Sequence, residues 1–253
     1  MKASMQPSQL KINRILLSIG IVILVVTLAL LLTWLGLSRD AEDRPTVSDV
    51  TTPSMKGTPI ATPNPSIDVG EGIKLEKLSF ACGNYPEDGS DEFLPDVLCA
   101  TFTNEGTKTL QYANVNVTVD GNQYYFAFST LPPGESVCVF ESNRARTPLT
   151  ADESTVKPEV VLCFDNEPDL MKDQLEIEVE NGYISVKNIT SEQLIGELIV
   201  YFKNTSGSSY LGGITYRVRI TNIDAGEIVS GYSSHAFKDC SEIMFVEFNA
   251  AND

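Results

Sequence analysis

Beyond residue 70 the chain reads as a succession of short alternating runs. In ANVNVTVD, Ala113, Val115, Val117 and Val119 occupy every second position against Asn114, Asn116, Thr118 and Asp120. A period of two sends one set to a buried face and the other to a wet one, which predicts a strand in a half-solvated sheet. Companion runs fill the stretch 71–166: Ile73–Phe80, Val97–Thr103 with Leu98, Ala100 and Phe102 on one face, Tyr124–Thr130 with Tyr124, Phe126 and Phe128 on one face, Ser136–Glu141, and Glu159–Phe164. Asp120-Gly121-Asn122 and Leu131-Pro132-Pro133-Gly134 punctuate them. Both predict turns, because Gly accepts positive φ and Pro withholds a ladder N–H.

The stretch 172–250 repeats that order. Leu175, Ile177 and Val179 oppose Glu176, Glu178 and Glu180, then Asn181-Gly182 turns the chain. Runs follow at Tyr183–Thr190, Gly196–Asn204, Ile214–Thr221, Ala225–Tyr232 and Glu242–Phe248, and in the third of these Ile214, Tyr216, Val218 and Ile220 oppose Thr215, Arg217, Arg219 and Thr221. Phe102-Thr103-Asn104 precedes Val186-Lys187-Asn188 by 84 positions (186 less 102), and Gly134-Glu135 precedes Gly226-Glu227 by 92 (226 less 134). Constant order and matching turns point to one unit used twice, with an insertion in the loop containing Thr205–Ser209. The expectation is all-β: two tandem immunoglobulin-like β-sandwich modules, 71–166 and 172–250, with too little helical pattern for an α/β enzyme. Residues 142–158 are expected as a long loop and a candidate for contacts.

The first 70 residues follow different rules. Ile15 to Leu35 contains no charge, and it is long enough to cross a bilayer as a helix. Lys2, Lys11 and Arg14 precede it without an acidic residue, so the positive-inside rule places residues 1–14 in the cytoplasm and the rest outside. A cleaved signal peptide fits less well, since the apolar run is long and no small-x-small site follows it. The expectation is a single-pass transmembrane helix at 15–37. Residues 38–70, with proline at 45, 53, 59, 63 and 65, then form an extended, disordered stalk.

Charge narrows the partners. All 34 acidic residues follow Arg39, together with 14 of the 18 basic ones (18 less the four at Lys2, Lys11, Arg14 and Arg39), so residues 40–253 carry 14 less 34, or −20. Such a field repels nucleic acid and anionic headgroups.

The turn residues carry a resemblance. Asn188, Thr190, Val200 to Phe202 and Ala225 to Glu227, with Asn104, Gly106, Val115 to Val119 and Pro133 to Glu135 in the first unit, resemble the FxLYD-type and CARDB-type extracellular modules of bacterial envelope proteins. Where such a module carries an aromatic-Asp pair, this chain has Phe202-Lys203-Asn204. The resemblance implies a surface module without known catalysis and supplies no binding residues. If the sandwich is immunoglobulin-like, its second and fifth strands are neighbours, which favours pairing Cys99 with Cys138 and leaves Cys82 for Cys163. Four cysteines allow three pairings, and reduced, buried thiols are the alternative. Cys240 is then an odd thiol.

Other chemical signals are sparse. His235 is the sole histidine, in Ser233-Ser234-His235, so histidine-dependent triads have no base in the first unit. Glu87 with Asp88 and Asp91 with Glu92 are adjacent carboxylates in a loop, and Asn84, Asp88 and Asp91 around Gly89 are oxygen ligands without an EF-hand's spacing. Asn116, Asn188 and Asn204 begin glycosylation sequons, which a bacterial cell would normally leave unused. No catalytic, cofactor or metal residue is assigned. The expected role is a non-catalytic spacer, adhesion or assembly protein of the bacterial cell envelope, anchored by 15–37 with an envelope protein or glycan as partner. The alternative is an accessory or sensing subunit binding a glycan, peptide or envelope enzyme.

Overall fold

A computed structural model describes residues 56–61, 66–85, 92–146 and 154–251. The expected membrane helix at 15–37 and residues 38–55 of the expected stalk lie outside them. Among the described residues no helix is long and apolar enough to cross a membrane.

The described chain is all-β. Its first half contains β1 (Lys56–Ala61), β2 (Ile67–Gly70), β3 (Ile73–Tyr85), β4 (Glu92–Asn104), β5 (Leu110–Val119), β6 (Asn122–Leu131), β7 (Ser136–Phe140) and β8 (Ser154–Cys163). The second half contains β9 (Leu175–Glu180), β10 (Tyr183–Asn188), β11 (Leu194–Ser206), β12 (Ser209–Ile223), β13 (Ile228–Tyr232) and β14 (Ser241–Ala250). Every run expected from alternation is a strand. The faces agree as well: Val115, Val117 and Val119 are buried in the first core, while Val218 and Ile220 are buried and Tyr216 is packed in the second.

Pairing follows the same plan twice. In the first half β3, β4 and β7 form one layer and β6, β5 and β8 the other; in the second, β9, β10 and β13 oppose β12, β11 and β14. Each pair of layers closes over its own apolar cluster. The first is built around Phe102, Phe126 and Phe128, with Phe102 stacked on Phe128 at a centroid distance of 4.6 Å. The second is built around Val200, Phe202, Val218 and Ile220. Alternation explains both, since each strand presents its apolar parity inward.

Three expectations change. Lys56–Ala61 and Ile67–Gly70, expected within the stalk, pair antiparallel with β3, and Val69 is buried in the first core. Residues 154–158, expected as loop, extend β8 along β5, with Pro158 opposite Val115 on this edge strand. The third change is the insertion. The turns joining β5 to β6 and β11 to β12 are both two residues long, at Asp120-Gly121 and Gly207-Ser208. β11 and β12 have 13 and 15 residues against 10 each in β5 and β6. The longer pair thus gains three and five residues, which together account for the growth of the offset from 84 to 92. No loop was inserted; the hairpin became longer.

The extra length is used at once. Ser209, Tyr210 and Leu211 at the start of β12 pair in parallel with Ser136, Val137 and Cys138 of β7. That joins a layer of the first half to a layer of the second as one eight-stranded sheet, ordered β1-β3-β4-β7-β12-β11-β14 with β2 on β3.

Candidate functional site

The duplicated plan extends to individual hydrogen bonds. Asn104 and Asn188, both fully buried, end β4 and β10. The Asn104 Nδ2 donates to the carbonyls of Lys108 (3.0 Å) and Leu131 (2.7 Å), and that of Asn188 to Glu192 (2.7 Å) and Ile223 (3.1 Å). Their Oδ1 atoms accept from the N–H two residues on, at Gly106 (2.9 Å) and Thr190 (3.0 Å). Their carbonyls accept from the N–H of Gly134 (2.7 Å) and Gly226 (2.9 Å), and their own N–H groups donate to Glu135 and Glu227, each at 3.0 Å. Gly134 (φ 82°) and Gly226 (φ 75°) hold the left-handed turn position that makes this approach possible. Each asparagine ties together the end of one strand, the loop after it and a distant turn, leaving few buried polar atoms unpaired.

A second repeated node closes the other end. Glu141 N–H donates to Leu98 O, Leu98 N–H to Ala145 O, and Arg144 N–H to Glu141 O; Ser233, Gly182 and Ala236 repeat these bonds at 3.0, 2.9 and 3.1 Å. In the first half the buried Glu141 carboxylate also gathers the N–H groups of Tyr125, Asn143 and Ala145 at 3.2, 2.8 and 3.0 Å. Residues 142–146 are loop, as expected, and these bonds fasten them to the sandwich. Residues 147–153 lie outside the described chain.

The joint between the halves has no repeat and is the most distinctive polar site in the described structure. Lys203 on β11 is fully buried, and its Nζ donates to the carbonyls of Ser129 (2.9 Å) on β6 and Gly213 (3.5 Å) on β12. Ser129 Oγ donates to Gly213 O at 3.0 Å and lies 3.0 Å from Thr215 Oγ1, which donates to Thr130 Oγ1 at 3.0 Å. Thr130 has φ 49°, an uncommon conformation for a β-branched residue, and its counterpart in the repeat is Asn222, also at 49°. Asn222 uses its side chain locally, accepting from Gly196 N–H at 3.0 Å; Thr130 instead puts its hydroxyl into the joint. Between Phe202 and Asn204 the ladder to β12 shifts, because Gly212, Gly213, Ile214 and Thr215 stand against Lys203 alone. This bulge turns the Gly213 carbonyl toward the first half.

Tyr210 completes the joint. It belongs to β12 yet is buried in the first core, and its hydroxyl donates to Glu242 Oε2 at 3.0 Å. Burial, followed by the hydrogen bond and negative charge of Glu242, pushes the phenol well above its usual range. The linker adds a ring contact, Phe164 edge-on to Phe245 at 5.5 Å, and Phe245 stacks on Tyr201 at 4.2 Å.

The remaining sequence candidates are placed as follows. His235 stacks on Tyr216 at 4.4 Å, and its carbonyl accepts from Asn204 Nδ2 at 3.2 Å, so it helps anchor the turn before β14. Glu87, Asp88 and Asp91 lie outside the described residues, and Asn84 and Glu92 are described only as strand backbone. Among the described residues no group of three His, Cys, Asp or Glu side chains could hold a metal ion. Asn116, Asn188 and Asn204 of the three sequons are all buried, so folding withdraws each amide from a glycosylating enzyme.

None of the five cysteines is in a disulfide. β4 and β7 are neighbours, with Cys99 opposite Phe140 and Cys138 opposite Thr101, so both cysteines lie on one face a diagonal step apart. The pairing of Cys82 with Cys163 is contradicted by topology. Cys163 is paired with Leu110 and lies near Glu71, at the start of β3, whereas Cys82 is nine residues into that strand (82 less 73), about 30 Å along it. Cys82 instead accepts from the N–H of Asp96 at 3.3 Å. Burial raises the thiols of Cys163 and Cys240.

No protein-family model matches the chain, and no curated protein is similar to it.

Proposed function

We propose that the chain is a non-catalytic, membrane-anchored extracellular spacer or assembly protein of a bacterial cell envelope, with two tandem immunoglobulin-like modules held stiffly together. The observation that carries this reading is the joint. A flexible linker would suffice to string two modules, but here a lengthened hairpin, a buried lysine and a shared sheet fix one module against the next. Rigid inter-module geometry serves a part that sets distance or presents a surface in a fixed direction. The resemblance to FxLYD-type and CARDB-type modules supports the envelope setting. Its departure at Phe202-Lys203-Asn204 includes Lys203, the lysine of the joint, so tandem packing accounts for a lysine at that position.

The second reading, an accessory subunit that binds a peptide, glycan or envelope enzyme, has its own support in β13. In the first half the corresponding edge, β7, is covered by β12; β13 ends its three-stranded sheet among the described residues, carries no charge, and exposes Ile228 and Tyr232. The opposite edge, β9, is guarded by Glu176, Glu178 and Glu180. An unguarded edge is where strand addition occurs. Affinity capture from envelope extracts with residues 40–253 as bait separates the readings. A spacer or assembly part captures a structural envelope component and keeps it when Ile228 is changed to Lys; an accessory subunit loses its partner with that change. Turnover of an envelope substrate by the bait, abolished by a point variant, would overturn both.

A further inference from the structure

The outer face of the β3-β4-β7 layer holds a pair of thiols that the proposed function does not use. Across the β4–β7 ladder Cys99 is opposite Phe140 and Thr101 is opposite Cys138. Residues two apart share a face, so the two thiols stand on one face of adjacent strands, one diagonal step apart. Ser79 Oγ lies 2.9 Å from Cys99 Sγ, and Lys77 is on the same face of β3, opposite Thr101. The other three cysteines have no such neighbour: Cys82 is engaged with Asp96, and Cys163 and Cys240 lie on β8 and beside Thr205.

We propose that Cys99 and Cys138 are a disulfide-forming pair, which closes by exchange with an external disulfide and staples β4 to β7, the strand that carries the joint. Cys99 is buried whereas Cys138 keeps some surface, which fixes the order of events. The Cys138 thiolate attacks one sulfur of the external disulfide, forming a mixed disulfide and releasing one thiolate. Cys99 then attacks the Cys138 sulfur, forming the Cys99–Cys138 bond and expelling the second thiolate. Two protein thiols are oxidised, one external disulfide is reduced to two thiols, and the two protons pass from the cysteines to the departing thiolates. Access rather than thiolate fraction sets this order, and the raised Cys138 thiol makes the first attack the slower step. The hydrogen bond from Cys138, then that from Ser79 and the charge of Lys77, lower the Cys99 thiol despite its burial; Cys138, as the donor, is raised by that bond and by burial. Cys99 is therefore the better resolving thiolate. Diagonal neighbours on paired strands have Cα atoms about 7–8 Å apart, at the limit of disulfide reach, so closure draws β4 and β7 together locally at this step of the ladder.

The test uses the full chain, purified reduced and then incubated with oxidised glutathione, followed by non-reducing peptide mapping. The expected map contains a Cys99–Cys138 cross-link, and the thermal midpoint rises by about 5–15 °C relative to the reduced chain. In Cys99→Ser, Cys138 should be trapped as its glutathione mixed disulfide; in Cys138→Ser, Cys99 should remain a free thiol. Recovery of both cysteines unlinked from the oxidised wild type, or a link from either one to Cys82, Cys163 or Cys240, overturns the proposal without recourse to the variants.

Discussion

The two halves use the same strand order and the same buried asparagines, yet they differ in how much they enclose. The first half packs Phe102, Phe126, Phe128 and Tyr124 and buries residues on the outer face as well, where Val97, Cys99 and Phe140 have almost no exposure. The second half has a smaller cluster, and its outer layer is open: β13 exposes Ile228 and Tyr232, and β9 keeps one glutamate on every second position. Gly231, where the first half has Val139, shows why that layer is thin. A Cβ there would lie 2.0 Å from Val218 Cγ1, so β13 approaches β12 closely with no side chain between them. The comparison teaches that the repeated bonds specify the fold, while the amount of apolar filling varies around them. It also shows the second half leaning on the first, since Tyr210 and Met244 from the second half pack against the first core.

The largest way to break this arrangement is to charge the thinner core. Val218→Asp buries an unpartnered carboxylate where Gly231 leaves no room to turn away, and it should cost roughly 4 kcal/mol or more in denaturant unfolding. Arg219→Asp, one residue on, loses only an exposed pair with Glu197 (3.1 Å) and should cost less than about 1 kcal/mol.

Next come the two asparagines, which test the equivalence itself. Asn104→Ala and Asn188→Ala each strip two carbonyls and one N–H of a partner. Each should lose about 2–4 kcal/mol by the same measurement. A loss at one position with near silence at the other would show that the shared bonds do not carry equal weight.

A smaller effect belongs to the joint. Tyr210→Phe removes the bond to Glu242 and should cost about 1 kcal/mol at neutral pH. The phenol of Tyr210 is raised in the folded state, so its contribution is fully present below the ordinary tyrosine range, near pH 10, and is lost as pH climbs above it, where the unfolded phenol ionises first. Stability of the wild type should therefore fall more steeply in alkali than that of Tyr210→Phe, which denaturation series across that range would show.

Much of this was legible in the residues. Alternation located every strand of the two repeats and assigned Val115, Val117, Val119, Val218 and Ile220 to the correct faces, because a half-wet strand writes its orientation into its parity. β2 was hidden because its surroundings, Thr62-Pro63-Asn64-Pro65, carry the composition of solvated chain and Val69 is its one deeply buried residue. The joint was hidden for a different reason. Period and turn chemistry say which face is wet, but they do not say which wet face another part of the chain will cover; Lys203 has the parity of a solvent-facing residue and is buried by β6. The available signals were the growth of the offset from 84 to 92 and the Gly212-Gly213 pair inside a strand.

Hydrogen exchange of the full chain, read by mass spectrometry at increasing low denaturant, tests the coupling of the halves most directly. The joint predicts that amides of Ser209–Leu211 and Ser136–Cys138 are protected as interior ladder, and that β9 to β14 open together with β3 to β8 at one common free energy. Fast, edge-like exchange at those two segments, with β9 to β14 opening while β3 to β8 stay protected, would contradict it.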